Sequence, residues 1–265
     1  MQLNGKNLPK VSCLMVTADR PNLCRRAIRC YNHQTYSNKE LIVVDDGKQD
    51  LSKVLSEVPE EELTYLRLSS DSDYVLGKLR NMALDAATGD MFTQWDDDEW
   101  YHPERIEKQV EVLLEGYDAC CLQATLMHIS DAEFFNHPYI GYLKKGVPGS
   151  IMHYAYSDIR YPEIRRAEDS IYLDKWLERK YTTLPSSKAY LFIRCFHGDN
   201  TWEKKHFLTR MRNTIPDTIT YLWYRYIRGD IFLHPRFDIE SKAKEAFQLY
   251  LEDSRELELL ESNIS

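Results

Sequence analysis

A chain of 265 residues with 43 % hydrophobic and 29 % charged residues, and only 10 Gly and 10 Pro, can bury a sizeable core and is not a disordered, collagen-like or low-complexity polymer. Its 42 acidic residues against 34 Lys and Arg give a formal charge of −8, which argues against a global grip on nucleic acid. No apolar stretch is long enough to span a bilayer, and Met1–Lys6 lacks the apolar core of a secretory signal, so the expected location is cytoplasmic.

The first half repeats a short apolar run, a polar punctuation mark and a helically spaced segment, the pattern of an α/β sheet with crossover helices. Val11 to Thr17 reads as the first strand, and Pro21 suits the first turn of a helix with Leu23, Ala27, Ile28 and Tyr31 on one face. Glu40 to Asp45 is a second strand, continuous in its apolar residues as buried parallel strands are, and Leu63 to Leu68 a third. A helix near 77–88 carries Leu79, Met82, Ala83, Ala86 and Ala87 on one side, with Gly89 as its stop. Asp90 to Trp95 then runs as a strand into Asp96-Asp97-Asp98-Glu99. Pro103 opens a helix bearing Ile106, Val110 and Leu113. Beyond it the sequence predicts a strand over 117–127, a loop-rich excursion over 131–149, a helix over 169–180, a strand over 190–194 and a charged amphipathic helix over 241–261. The six cysteines, Cys13, Cys24, Cys30, Cys120, Cys121 and Cys195, show no C-x-x-C spacing and read as reduced core residues. With no repeat and no Gly/Ser-rich linker, the expectation is a single domain over 1–265.

Ligands of open α/β sheets bind at the carboxyl ends of strands, and Thr17, Asp45 and Asp96 all stand there. Four adjacent acids repel one another unless a cation or water relieves them, so residues 96–99 are either a solvated acidic loop or a site for a hard divalent metal. Asp45-Asp46-Gly47 is a turn signal or part of a site. Gly77-Lys78-Leu79-Arg80-Asn81 is a solvated helix start or an anion grip at a helix amino end. Glu168-Asp169 is most simply a pair of acids at a helix start.

Taken in series, Val11–Thr17 with Arg20-Pro21, Val43-Val44-Asp45-Asp46-Gly47, Gly77–Asn81 with Ala87-Thr88-Gly89-Asp90, and Asp96–Glu99 with Pro103 resemble the nucleotide-sugar half of family 2 glycosyltransferases. The resemblance is close over about the first 110 residues and weaker to about residue 210. It implies a GT-A fold, a mixed and mostly parallel central sheet flanked by helices. The nucleotide-sugar half would occupy about 8–110, an acceptor half about 111–235 and a closing helix about 236–265. It further implies an inverting, metal-dependent transfer from a nucleoside-diphosphate sugar, UDP-sugar being the usual donor, to a hydroxyl of a glycan or lipid-linked acceptor. Surface-polysaccharide or lipopolysaccharide synthesis is the usual setting, in the cytoplasm or at the inner membrane face.

Position by position, the resemblance puts Thr17, Arg20, Asp45, Asp46, Lys78, Arg80, Asp96 and Asp97 around the donor, with Asp45 receiving a hydrogen bond from the base. Asp96 and Asp98 correspond to the outer acids of the D-x-D motif, with Mn²⁺ or Mg²⁺ on Asp98. Asp169 corresponds to the base that takes the acceptor's proton, with Glu168 in support, and His197 to a third metal contact or a contact to the diphosphate, a lone histidine being otherwise structural.

Two alternatives stand beside this reading. A non-catalytic nucleotide-sugar-binding or scaffold protein could keep the fold; a sugar nucleotidyltransferase would need a Gly-rich phosphate loop after the first strand, where Thr17-Ala18-Asp19-Arg20-Pro21 has no glycine. The aromatic stretch of Tyr221, Trp223, Tyr224 and Tyr226 reads as core or dimer packing in preference to acceptor binding, and the last helix as a cover for the core or a pairing surface.

Overall fold

The apolar runs of the first half become strands in the expected order. In this computed structural model, which describes residues 8–69, 74–156, 158–196 and 208–260, β1 (Val11–Thr17) lies parallel to β2 (Lys39–Asp45), and β2 to β3 (Leu63–Arg67). On the other side of β1 runs β4 (Met91–Gln94), also parallel. The described chain divides into two compact units, Met1–Cys121 with Pro148–Leu184 and Leu122–Val147 with Pro185–Ser265.

In the first unit β6 (Ala119–Leu122), β9 (Met152–Tyr154) and β10 (Tyr181–Leu184) extend the sheet to seven strands, in the order β10-β6-β9-β4-β1-β2-β3. β9 is antiparallel to both β4 and β6, which makes the sheet mixed. Helices α1 (Pro21–Asn32), α2 (Ser52–Leu55), α3 (Leu76–Ala86), α4 (Arg105–Leu114) and α5 (Glu168–Trp176) belong to this unit. Leu14, Ile42 and Val44 of the sheet share one core with Leu79 and Ala83 of α3 and Tyr172, Leu173 and Trp176 of α5. All six cysteines are free and buried, and burial pushes the Cys13 and Cys121 thiols up to about 12, so they are inert core residues.

Helix α3 ends at Ala87 in extended backbone and not on Gly89. Gly89 is required for another reason: a Cβ there would stand 2.7 Å from the carbonyl oxygen of Lys10. The turn is pinned by the buried Glu40, which accepts hydrogen bonds from Ser12 Oγ at 2.6 Å, Thr88 N at 2.7 Å and Lys10 Nζ at 2.6 Å. One carboxylate thereby ties β1, β2 and the exit of α3 together.

Three expectations change. The strand expected over 117–127 is broken at Gln123 into β6 and β7 (Ala124–Ile129), and the two belong to different sheets. A continuous apolar run cannot by itself reveal a change of sheet. The 131–149 excursion contains a strand, β8 (Tyr139–Tyr142), and the late strand β11 (Phe192–Phe196) starts two residues on because Ser186–Leu191 forms a 3₁₀ turn. A short strand, β5 (Trp100–Tyr101), follows the acidic loop.

In the second unit β7 pairs parallel with β11 and antiparallel with β8. The last helix, Ser241–Glu256, covers this unit's core with Ala246, Phe247, Tyr250 and Leu251. Its Tyr250 hydroxyl meets Nδ1 of the buried His128 at 2.8 Å, while Nε2 of that ring lies 3.0 Å from the Phe135 carbonyl.

His153 sits in the first unit's core, stacked on Trp176 at 4.2 Å. Its Nδ1 faces the Tyr154 carbonyl at 2.8 Å and its Nε2 the Tyr172 hydroxyl at 2.9 Å, which satisfies the neutral ring and leaves no place for a charge. Burial lowers its pKa from 6.5 to about 4. The unfolded chain therefore binds this proton first, and folding stability falls as pH drops from 6.5 towards 4, by about 3 kcal/mol at the lower end. Denaturant unfolding across that range should show a steeper acid loss in the wild type than in His153→Gln.

Candidate active site

Parallel pairing brings the polar strand ends side by side. Thr17, the last residue of β1, stands in register with Asp45, the last of β2, and Trp95 N bonds the Leu14 carbonyl as β4 leaves the sheet for the acidic loop. Asp46 N in turn donates to the Thr17 carbonyl at 3.1 Å.

Asp45 is fully buried. Its Oδ1 accepts from Gly47 N at 2.9 Å and its Oδ2 from the Tyr65 hydroxyl at 2.7 Å. Tyr65, from β3, was invisible as a site residue because a tyrosine in a strand signals only β-propensity. Asp19 is a further residue that no local pattern marks. In left-handed backbone (φ 55°), its Oδ1 accepts from Lys48 N at 2.7 Å and Gln49 N at 2.8 Å, which holds its pKa below the usual carboxylate range. Its neighbour across the turn must be glycine: a Cβ on Gly47 would stand 2.5 Å from Asp19 N.

The three acids of the 96–98 loop divide into two ion-paired networks. Asp97 turns inward and is 1 % exposed, accepting from Thr17 Oγ1 at 2.6 Å and from Arg20 at 2.7 Å. Burial and the neighbouring Asp98 raise its pKa to about 7, against the opposing pull of Arg20 and Thr17. Arg20 reaches Asp98 as well, at 3.3 Å, so one guanidinium bridges two carboxylates.

Asp96 belongs to the other network. Its carboxylate accepts from Arg80 at 3.0 Å and from the Gln94 amide at 2.9 Å, and its backbone N–H donates to the Tyr101 hydroxyl at 2.7 Å. Arg80 spans from Asp96 to Glu168 Oε1, 3.0 Å to each. Glu168 is buried; desolvation raises its pKa and Arg80 opposes the rise. The acidic loop after β4 is thus joined through Arg80 to the first turn of α5, although the partners are far apart in sequence.

Asp169 follows Glu168 and is only half-buried; its carboxylate accepts from Ser170 N at 2.6 Å. The residue before the pair, Ala167, is left-handed (φ 63°), a strained conformation for a residue with a Cβ, at the entry to α5. Asn81 clamps the preceding segment by bonding both the N–H and the carbonyl of Tyr161, at 2.9 and 3.0 Å. Lys78 lies at the surface 3.3 Å from Glu163, and Gly77 N donates to the Ile164 carbonyl, so a backbone oxygen occupies this helix start. The structure therefore gathers Thr17, Arg20, Asp45, Asp46, Arg80, Asp96, Asp97, Asp98, Glu168 and Asp169 in one unit, with Lys78 paired off at its surface. His197 lies outside the described residues.

The loop's carboxylates are the oxygen donors that a hard divalent cation takes, and Asp98, its side chain 21 % exposed, is reachable from solvent. Among the described residues no three His, Cys, Asp or Glu side chains form a metal-sized cluster. The residues fit a cation that shares its ligands with phosphates and water, and not a closed protein cage.

The family model for glycosyl transferase family 2 matches residues 12–205, and the chain belongs to that family. It is 24 % identical over 204 residues to an uncharacterized glycosyltransferase of Haemophilus influenzae, covering 71 % of this chain and 80 % of that one. It is 34 % identical over 104 residues to the putative colanic acid biosynthesis glycosyl transferase WcaA of Escherichia coli, covering 38 % of this chain and 37 % of WcaA. Among solved structures it resembles S. aureus TarS 1-349 in complex with UDP, at a TM-score of 0.57 and 16 % identity over 94 % of this chain and 80 % of that one. It also resembles the mannosyltransferase PcManGT of Pyrobaculum calidifontis in complex with GDP-Man and Mn²⁺, at a TM-score of 0.55 and 14 % identity over 95 % and 79 %. These structural likenesses establish the GT-A architecture, and the family membership removes the nucleotidyltransferase alternative.

Proposed function

We propose that this glycosyltransferase carries out an inverting, metal-dependent transfer from a nucleoside-diphosphate sugar, a UDP-sugar, to a hydroxyl of a glycan or lipid-linked glycan in surface-polysaccharide or lipopolysaccharide synthesis. One observation carries the reading: at the carboxyl ends of the parallel strands Thr17 and Arg20 both hold Asp97, Arg20 also reaches Asp98, and Arg80 ties Asp96 to Glu168. The UDP complex of TarS, the GDP-Man and Mn²⁺ complex of PcManGT and the polysaccharide-synthesis relative are in keeping with it.

Asp45, held by Tyr65 and Gly47, offers its carboxylate to an N–H of the base. Asp98, with Asp96 beside it, would hold Mn²⁺ or Mg²⁺, which neutralises the charge that grows on the departing diphosphate. Asp169 takes the proton of the acceptor hydroxyl as its oxygen bonds to the anomeric carbon from the face opposite the leaving group. The carbon–oxygen bond to the diphosphate breaks, and its electron pair leaves on the nucleotide. Glu168 is engaged by Arg80 at the start of α5, and the base role given to Asp169 is the one the family resemblance implies.

The test is incubation with UDP-, GDP-, CDP- and dTDP-sugars and Mn²⁺ or Mg²⁺, reading released nucleotide and, by NMR, the anomeric configuration of the product. Metal-dependent release of UDP with inverted product supports the reading; release with retained configuration overturns the assignment of Asp169.

A further inference from the structure

In the second unit, helix Ile215–Leu222 continues into a π-helical turn, Trp223–Ile227, and no residue of either is buried. Ile215, Ile219, Leu222, Trp223, Tyr226 and Ile227 recur at helical spacing along one stripe, and they are 79, 63, 45, 53, 72 and 67 % exposed. The inward contacts come from other positions: Tyr221 packs on the cluster of Met127, Phe134 and Met211, and the Tyr224 ring meets His234 at 5.8 Å. Of the expected core or dimer packing of this aromatic stretch, core packing therefore fails for Trp223 and Tyr226, and exposure in a single chain does not bear on the dimer half. A surface helix ordinarily turns its apolar side to the core, and this one turns it to solvent.

Charge decides what covers the stripe. Residues 208–228 carry Arg210, Arg212, Arg225 and Arg228 against the single acid Asp217, in a chain whose formal charge is −8. Arg225 and Arg228 are exposed at the end of the stripe, Arg225 lying 3.1 Å from Glu133. A second copy paired about a two-fold axis would bring this basic segment against itself, whereas an anionic surface complements it. Isoleucines and leucine flanked by Trp, Tyr and arginine suit the boundary between lipid headgroups and acyl chains.

We propose that the face formed by Ile215, Ile219, Leu222, Trp223, Tyr226 and Ile227 docks on an anionic lipid bilayer, lying in the plane of its surface. No helix among the described residues is long and apolar enough to cross the membrane. The inference deepens the proposed function by naming what would hold the enzyme beside a lipid-linked acceptor, and rests on that reading only there; docking itself needs no nucleotide.

The test is sedimentation of the full chain with phosphatidylcholine vesicles, with and without about 30 % phosphatidylglycerol. The chain should pellet with the anionic vesicles and stay largely in solution with the neutral ones. Ile219→Ser with Trp223→Ser should weaken binding about tenfold or more. Arg225→Gln with Arg228→Gln should weaken it about fivefold per arginine, on anionic vesicles alone. Leu249→Ser, 44 % exposed on the last helix, should change nothing. Unaltered melting temperatures would show that the variants fold. Failure of the wild type to prefer anionic vesicles, undiminished binding by Ile219→Ser with Trp223→Ser, or a dimer that this variant disperses would overturn the proposal, the last assigning the face to a second copy. Vesicle binding without any UDP-induced stabilisation would leave the docking standing and count against the nucleotide site alone.

Discussion

Replacing Asp169 by Asn lowers sugar transfer by about a hundredfold to ten-thousandfold and leaves nucleotide affinity unchanged. The amide cannot take a proton, yet its oxygen can still accept the hydrogen bond that Ser170 N gives the carboxylate at 2.6 Å, so the start of α5 keeps its shape. Glu168→Gln separates the two acids. Glu168 is buried and its Oε1 is paired with Arg80, so its loss should reduce stability more than it reduces the chemical step. Single-turnover transfer with saturating donor measures the difference. A fall in transfer for Glu168→Gln as deep as that for Asp169→Asn, with stability intact, would exchange the two roles.

Arg80→Met should cost about 3 kcal/mol of folding stability, because it leaves Asp96 and the nearly buried Glu168 without their shared cation. The pH dependence has a definite sign. Burial already raises the Glu168 pKa, and without Arg80 it rises further, so the variant carries an uncompensated charge at neutral pH and sheds it by taking up a proton as pH falls. The penalty should therefore shrink between pH 8 and pH 5, and a second substitution, Glu168→Gln, should recover part of it at pH 8. Urea midpoints for the wild type and both variants at the two pH values check this. An Arg80→Met protein as stable as the wild type would show that the pair of contacts carries no stability.

Much of this site was legible because strand ends announce themselves. Val43-Val44-Asp45 and the run into Asp96 put acids where buried strands meet solvent, and the structure brings those ends together by parallel pairing in register. The partners of the acids were not legible. Arg80 suggested a phosphate grip from its place in a helix start, and only the packing of α3 beside α5 turns it towards Glu168. Tyr65 and Asn81 likewise act across long sequence separations, through hydrogen bonds that no local pattern encodes. The break between β6 and β7 was hidden because a run of apolar residues reads alike whether it stays in one sheet or leaves it. Gly89 stands where a helix stop is expected, and what requires glycine there is the closeness of the Lys10 backbone.

The most direct measurement of the central claim is a thermal-shift panel of UDP, GDP, CDP and dTDP, each with Mn²⁺, Mg²⁺ or chelator, on the wild type and Asp98→Asn. A ligand that binds only the folded state raises its melting temperature, by several degrees at a hundredfold excess over its dissociation constant. The account predicts a shift with UDP that needs the cation, is far smaller with the other nucleotides and is lost in Asp98→Asn. A wild type that no nucleotide stabilises, with or without metal, would contradict it.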